Sequence, residues 1–389
     1  MRYMHLNLEI FNMNYENLFD CKKGLSPELS LLLKKNASTL LRNCKKGYEY
    51  KLTKNSDISA FSNCFGVLLA NFIGEPIKGE DAILIAKSIH KQLLDYKKNR
   101  EKECKDISVD KFYLQLVAFC LSCIYVLDVQ NKFPLDELIE DLIPNNIYKY
   151  LDKIGSKDGL PQSGNLSMCM AVICIYAKNY LNFDTKSHVE DWVSYHLDNV
   201  NNYGFWGNNN ISHLQFQNAY HQFEIFEYLN VDLLSINKSI ELLYEVVDER
   251  GQFAPYYGGS GCYDYDAISI MTYLNRPLDE RNISLMVKTL DTILSDVNED
   301  GCFSESHWVR PRSYKTVTKN FKRCFTKHHS LNMERARYFI ALQMSKNKFV
   351  HTHWTNYSRN WNESNLWDTW FRLQTIAKID ISVSRQNNN

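Results

Sequence analysis

Apolar residues recur at three- and four-residue spacing along most of this chain. Val189, Trp192, Val193 and Leu197 form one such series, and two later segments repeat the spacing. It places apolar side chains on one face of an α-helix, whereas the alternation that is typical of β-strands is almost absent. The pattern therefore predicts an all-α protein. Further helices are predicted over residues 82–94, 112–127, 135–154, 329–343 and 365–379.

A glycine turn and a helix ending recur together at intervals of about 45 to 50 residues. The turn glycines are Gly159, Gly204, Gly251 and Gly301. After each of the first three, a helix ends on the sequence Tyr-Leu-Asn, at residues 180–182, 228–230 and 273–275. A repeat of this length is one supersecondary unit that buries its apolar face against its neighbours. We therefore predict about six tandem helical hairpins that close into an α/α toroid; an open solenoid is the competing arrangement.

The repeats predict one α/α toroid domain over residues 56–389. Residues 1–55 lie before it, and we expect them to dock on the toroid as an N-terminal segment. A chain of 389 residues has room for one complete toroid and not for two.

Composition and charge narrow the class of protein. Forty-five Lys and Arg balance 45 Asp and Glu, and the lack of a long basic stretch argues against nucleic acid as a partner. The longest apolar run, residues 112–127, contains Gln115 and Ser122 and is shorter than the roughly 18–20 residues of a membrane span. The first residues do not have the pattern of a secretory signal, and the 11 cysteines are scattered. These features favour a cytoplasmic protein.

Three segments bear on the family of the predicted toroid. They are residues 257–268, which begin Tyr-Gly-Gly and contain Asp-Tyr-Asp, residues 299–303, and residues 365–371 with the sequence Trp-Asp-Thr. Together they resemble the terpenoid cyclase and protein prenyltransferase superfamily of α/α toroids, and the last is similar to helix starts of squalene–hopene-type cyclases. The resemblance implies a small hydrophobic isoprenoid substrate, and peripheral contact with a membrane is compatible with such a substrate. It does not indicate an oligomeric state.

The same resemblance implies a general acid. Class II terpene cyclases protonate their substrate with an aspartic acid of an Asp-x-Asp-Asp motif, which would be Asp266 here, with Asp264 and His221 tuning it. Such an acid must be protonated, and burial or a neighbouring carboxylate raises the pKa of a carboxyl group in that direction. Ala267 stands where the motif has its last aspartate. The alternative is that Asp264 and Asp266 cap the start of a helix.

The chain is rich in aromatic residues, with 24 Tyr, 20 Phe and 7 Trp. Aromatic faces stabilise cations without offering a nucleophile, as a carbocation intermediate requires. A basic segment, 304–329, interrupts the repeats; we expect it either to receive a diphosphate or to be a solvated loop. The predicted substrate-binding residues are Trp206, Tyr220, Tyr257, Tyr265, Trp308, Arg310 and Arg312.

Three other functions stay open. An (α/α)6 glycoside hydrolase or lyase would use Asp264 or Asp266 with Glu305 as paired carboxylates. A non-catalytic toroid would bind a protein or peptide at its aromatic mouth. A zinc-dependent, prenyltransferase-like site would use Asp300 and Cys302 with a downstream histidine, although Asp300 also belongs to the repeated turn. The main hypothesis needs no cofactor, and Mg²⁺ enters only if the substrate is a diphosphate.

Overall fold

The computed structural model describes residues 25–103, 106–133, 135–208, 210–259, 261–305, 314–344, 349–350 and 354–386. The predicted all-α class is confirmed. The helices are α1 (Pro27–Cys44), α2 (Ala60–Phe72), α3 (Gly79–Lys102), α4 (Lys111–Val126), α5 (Asp136–Glu140), α6 (Ile147–Lys153), α7 (Ser163–Tyr180), α8 (Lys186–Asp198), α9 (His213–Tyr228), α10 (Ile236–Val246), α11 (Gly261–Met271), α12 (Glu280–Ser295), α13 (Tyr314–Lys322), α14 (His329–Met344) and α15 (Leu366–Gln386). Strands β1 (Lys45–Lys46) and β2 (Glu49–Tyr50) pair antiparallel, as do β3 (Phe349–Val350) and β4 (Arg359–Asn360).

Six helices contact one another in a closed cyclic order. α2 contacts α4, α4 contacts α7, and the order continues through α9, α11 and α15 back to α2. We call these six helices the ring. Nearly every described side chain of α4 and α7 is buried, as expected for helices that are enclosed on all sides. The contact between α15 and α2 favours the predicted toroid over an open solenoid, in which the first and last units would be far apart.

Helices α1, α3, α8, α10 and α12 alternate with the ring helices along the chain and pack against them from outside. In a helical hairpin the two helices run in opposite directions, so the ring helices run in the same direction. Their N-terminal ends therefore lie on one face, which also carries the glycine turns. Of the predicted N-terminal segment 1–55, α1 packs on α2 and α15. None of the described helices is long and apolar enough to cross a membrane.

The repeated glycines adopt the conformation that makes them necessary. Gly204, Gly251 and Gly301 have φ angles of 79°, 83° and 77°, which other residues rarely adopt. In each turn the glycine N–H donates to the carbonyl three residues earlier, at 2.9 to 3.0 Å. The Tyr-Leu-Asn sequences also share a geometry, because Asn182, Asn230 and Asn275 have φ angles of 57°, 55° and 53°. Asparagine tolerates this left-handed conformation better than most residues, and it follows the ends of α7 and α9. The third predicted helix end differs, because α11 ends at Met271 and a separate 3₁₀ turn spans Tyr273–Asn275.

Each of these turns is held by the outer helix of the following hairpin. A polar side chain on that helix donates a hydrogen bond to the glycine carbonyl. The last of these bonds reaches back 265 residues to α1, so the turn before the end of the ring is attached to its beginning. The three bonds are Ser239 to Gly204 (3.0 Å), Thr289 to Gly251 (2.7 Å) and Asn36 to Gly301 (3.3 Å).

One predicted helix is wrong. The segment 135–154 forms two short helices, α5 and α6, with an irregular connection between them. Pro144 lies in that connection; a proline lacks the backbone N–H that a helix interior needs and disfavours helical geometry in the residue before it. Asn146 then caps α6 by accepting the Lys149 N–H at 2.8 Å.

The segment between α12 and α15 packs on the face that carries the glycine turns. The Glu334 carboxylate in α14 accepts the N–H groups of His213 (2.6 Å) and Leu214 (2.9 Å), at the start of α9. Arg335 donates to the carbonyl of Val246 at 2.9 Å. The segment between α12 and α15 therefore covers part of the N-terminal face of the ring.

We expect Gly204→Ala to destabilise the fold more than Gly47→Ala. Both glycines have a positive φ, which costs a larger residue roughly 1–3 kcal/mol. At Gly204 an added Cβ would also lie 2.5 Å from Ser239 Oγ and 2.8 Å from the Ser235 carbonyl oxygen, whereas at Gly47 it would meet nothing within 4 Å. Urea unfolding of the two variants measures the difference. Equal losses of unfolding free energy would contradict the close packing of the turn.

Candidate functional site

A partly enclosed cavity of about 360 Å³ lies inside the ring. Five of the six ring helices contribute to its lining. That volume includes space open to solvent, and the part that a water-sized sphere can occupy is about 40 Å³. The apolar lining residues are Phe119, Met168, Tyr220, Tyr265, Trp367, Trp370 and Phe371, and the polar ones are Gln115, His221, Glu224 and Gln374.

The aromatic rings of the lining pack against one another as a continuous wall. The ring centroids of Tyr220 and Tyr265 are 5.8 Å apart, and the rings are nearly perpendicular. The centroids of Tyr265 and Phe371 are 5.2 Å apart, in the same arrangement. Phe371 in turn lies 4.2 Å from Trp367. Such packing fixes the rings and turns some of their faces, which carry partial negative charge, toward neighbouring groups. Of the predicted aromatic residues, Tyr220 and Tyr265 belong to this wall.

Glu224 is the acidic residue among the described lining residues. Burial raises the pKa of its carboxyl to about 8, although the Tyr220 hydroxyl and the Lys378 ammonium lower it. The side chain keeps some accessible surface because it faces the cavity. At neutral pH Glu224 is therefore mainly a neutral carboxylic acid, which donates a proton rather than only accepting hydrogen bonds.

Asp266 lies behind the lining and is 2% exposed. Burial raises its pKa well above the ordinary range, and the carboxyl groups of Glu224 and Asp264 raise it further. Two neighbouring buried carboxyls resist ionising together, so ionisation of one of them disfavours ionisation of the other. The structure thus brings Asp266 close to the cavity through Glu224, and not as a lining residue.

Asp264 has a structural role in the described contacts. Its carboxylate accepts the Phe253 N–H at 2.9 Å and forms a buried ion pair with Arg372 in α15. Burial raises its pKa to about 6, and the Arg372 charge opposes that shift. Asp264 therefore joins the loop before α11 to two ring helices. It does not cap its own helix, because the N–H that it accepts belongs to the preceding loop.

His221 lines the cavity on α9, three residues before Glu224. Its Nδ1 lies 2.7 Å from the Gln217 carbonyl oxygen, so in the neutral ring Nδ1 carries the proton and Nε2 is left as an acceptor. Burial lowers the pKa of the imidazole to about 4. No hydrogen bond joins His221 to Asp266 in the described structure. At neutral pH the cavity therefore holds an uncharged acid and an uncharged base on one helix.

Gln374 is a polar lining residue without a protein partner. It is 2% exposed, and its Nε2 has no hydrogen bond to any residue that the structure describes. Leaving a buried amide unpaired costs about 1–3 kcal/mol, so such groups are rare in folded proteins. The other glutamine of the lining, Gln115, differs because its amide lies 3.5 Å from Asn165 Oδ1.

The remaining predicted residues lie elsewhere. Trp206 donates its indole N–H to the His196 carbonyl at 2.7 Å and packs in the core. The Tyr257 N–H donates to Asn320 Oδ1 at 2.8 Å, beneath the insertion. Neither residue is among those that line the cavity. Trp308, Arg310 and Arg312 lie outside the described residues.

Sequence reasoning missed Glu224, Gln374 and the aromatic residues of α15. Glu224 could have been found as an acid between two apolar residues of a ring helix, one turn after His221. Trp367, Trp370 and Phe371 have the three- and four-residue spacing of one helix face. They belong to residues 365–371, whose resemblance to cyclase helix starts indicated the fold but was not applied to the lining of the site.

Glu305, the second carboxylate expected of a glycoside hydrolase, and the nearby Asp368 are engaged in other contacts. Glu305 and Asp368 both pair with the buried Arg359, at 3.3 and 3.4 Å. Asp368 also accepts the Asn365 side-chain N–H at 2.6 Å, and the Asp368 N–H donates to Asn365 Oδ1 at 2.9 Å. This reciprocal pair caps the start of α15. Neither carboxylate lines the cavity.

The predicted zinc ligands belong to a turn. Asp300 accepts the Cys302 N–H at 3.1 Å and the Ser364 hydroxyl at 2.7 Å. Cys302 is 2% exposed, and burial raises the pKa of its thiol, which disfavours the thiolate that zinc binds. Within the part of the chain that the structure describes, no three His, Cys, Asp or Glu residues are placed to hold a metal ion.

Comparison of this chain with protein-family models, with curated proteins and with solved structures finds no match.

Replacing Glu224 by Gln should flatten the dependence of stability on pH. The native carboxyl keeps its proton up to about pH 8, whereas the unfolded chain loses it near pH 4.5. The native state then binds one proton more, so the free energy of unfolding falls as pH rises, by about 1.4 kcal/mol per pH unit for one proton. Glu224→Gln should remove at least this slope in urea titrations. The exposed Glu190→Gln is the control, and equal slopes in wild type and Glu224→Gln would contradict the assignment.

The buried pair of Asp264 and Arg372 should be sensitive to removal of one charge. Asp264→Asn keeps an acceptor for the Phe253 N–H but leaves the Arg372 guanidinium buried without its counter-charge. We expect a loss of about 3–5 kcal/mol in equilibrium unfolding. The double variant Asp264→Asn, Arg372→Met should recover part of that loss. A double variant less stable than Asp264→Asn would argue against a mainly electrostatic role.

Proposed function

We propose that this chain is an enzyme of the terpene cyclase type, which protonates and cyclises a small isoprenoid inside the ring. The observation that carries the proposal is the neutral Glu224 carboxyl in an aromatic-lined cavity. Carbocation chemistry needs an acid shielded from water and walls that do not react with the cation. Both requirements are supported by the lining of this cavity.

In the proposed reaction Glu224 is the proton donor, and Asp266 stands behind it. The carboxyl proton moves to one carbon of an alkene, whose π electrons form the new C–H bond. Glu224 becomes a carboxylate, and the other alkene carbon becomes a cation. The sequence indicated Asp266 as the proton donor. We assign that role to Glu224 because Glu224 lines the cavity. Asp266, protonated beside it, stabilises the new carboxylate.

The aromatic wall stabilises the cation as it moves along the substrate. Tyr265, Trp367 and Phe371 present rings to the cavity. A desolvated cation over an aromatic face gains up to about 2 kcal/mol, without forming a bond that would stop the reaction. The cavity is small, which limits the substrate to a short isoprenoid.

His221 completes the proton balance. Its Nε2 takes a proton from a carbon next to the cation, whose C–H electrons form the new alkene. The imidazolium then returns that proton to the Glu224 carboxylate, three residues along the same helix. No proton is consumed overall, so the product is an isomer of the substrate. A glycoside hydrolase would instead need two carboxyls across the substrate, and Glu224 alone supplies a carboxyl among the described lining residues.

The test is incubation of the full chain with geranyl, farnesyl and geranylgeranyl diphosphate, with Mg²⁺ present, and with squalene. Mass spectrometry should show a cyclic isomer of one substrate. In D₂O the product should carry one deuterium, because the Glu224 carboxyl exchanges its proton with solvent after each product leaves. Glu224→Gln should reduce turnover at least about 100-fold, the usual contribution of an acid catalyst.

The matched control is Asp380→Asn. Asp380 is a buried carboxylate on α15 that accepts the Leu25 N–H at 2.6 Å, away from the cavity. This variant should keep its activity. Full activity in Glu224→Gln, or absence of any product from folded wild-type protein, would overturn the proposal.

A further inference from the structure

We infer that the ligand of this cavity is an uncharged, largely apolar molecule with an oxygen atom that accepts a hydrogen bond from the Gln374 side chain. The choice of isoprenoids as its carbon skeleton rests on the proposed function. The oxygen atom is inferred separately, from the unpaired amide.

The neighbours of the unpaired amide on its own helix are aromatic residues that cannot accept its N–H as a carbonyl or carboxylate would. Trp367, Trp370 and Phe371 precede Gln374 on α15 and line the same cavity. Their side chains offer aromatic faces and no carbonyl or carboxylate oxygen. Gln115 shows that an amide of this lining can be paired within the protein, because it lies beside Asn165. The different state of Gln374 points to a partner that comes from outside the chain.

A ligand that fills the cavity beside Gln374 either offers an acceptor to the amide or leaves it unpaired, at a cost in affinity. A pure hydrocarbon would leave the amide unpaired. A site with a buried polar group therefore discriminates strongly against the analogue that lacks the matching atom.

The charges around the cavity favour an uncharged oxygen. Lysine and arginine are absent from the described lining residues, whereas Glu224 is among them and Asp266 lies behind it. A carboxylate or phosphate placed there would find no cation among the described lining residues, because the Lys378 ammonium that acts on Glu224 already pairs with Glu227 at 3.4 Å, and it would oppose ionisation of Glu224. An ether, carbonyl or hydroxyl oxygen accepts the Gln374 N–H without this penalty. Any anionic group of the ligand would lie outside the cavity.

Binding can be measured without turnover, because Trp367 and Trp370 line the cavity and report occupancy by fluorescence. The ligands form a matched series on one farnesyl skeleton: the hydrocarbon farnesene, the alcohol, the methyl ether, the aldehyde and the carboxylic acid. Wild type should bind the three uncharged oxygenated ligands at least about 10-fold more tightly than farnesene, a difference of about 1.4 kcal/mol. The ether should bind like the alcohol, because an acceptor is enough. The acid should bind more weakly than the alcohol at neutral pH.

Gln374→Met keeps the length of the side chain and removes its hydrogen-bonding groups. It should abolish the preference for oxygen while farnesene still binds. Gln222→Met is the matched control, because Gln222 is a buried glutamine of α9 that does not line the cavity, and this variant should keep the preference. If Gln374→Met fails to fold, Gln374→Leu replaces it, and the wild-type ligand series is decisive by itself.

Equal affinities of wild type for farnesene and farnesol would overturn the inference, and so would an unchanged preference in folded Gln374→Met. Preference for oxygen without any turnover would support the ligand class and count against the cyclase. Turnover without a preference for oxygen would support the cyclase and count against the inferred ligand class. No binding of any ligand in the series would overturn both, because the skeleton rests on the proposed function.

Discussion

The contact between α15 and α2 closes the ring, and the chemical character of the cavity depends on that closure. With the ring closed, side chains from five helices enclose one space and exclude most water from it. In an open array the same carboxyl and imidazole groups would face solvent and keep their ordinary protonation. The buried Asp264–Arg372 pair reinforces the closure, because it joins α11 to α15 beside the cavity.

Burial acts on the acid and the base of the cavity in opposite directions. It raises the pKa of Glu224 to about 8 and lowers that of His221 to about 4, so both groups are uncharged over the range between. A proton can then pass from one to the other through a substrate without leaving a net charge in an apolar space. Gln374 is buried in the same lining, and its Nε2 has no partner among the described residues, so burial underlies both the proposed reaction and the inferred ligand.

The sequence predicted the repeated parts of the molecule well. The glycine turns and the asparagine helix ends follow from backbone conformations that few residues adopt. Tyr220, Tyr265 and His221, which the sequence singled out, line one cavity. The repeat register fixes the depth of a residue along a ring helix, but not the side to which it points. Neighbours such as Tyr265 and Asp266 differ by about 100° around the axis, so the register alone does not say which of them lines the cavity. The partner of Asp264 lies 108 residues away, and no local pattern announces it.

The order of the hairpins along the chain has a consequence for synthesis. The ring is completed by α15, which is synthesised after the other five ring helices, and the bond from Asn36 to Gly301 joins parts made far apart in time. Until α15 emerges, α4 and α7, which are apolar on nearly every side, have only part of their final neighbours. The nascent chain therefore exposes an apolar inner surface during this interval, and such surfaces are the ones that chaperones shield.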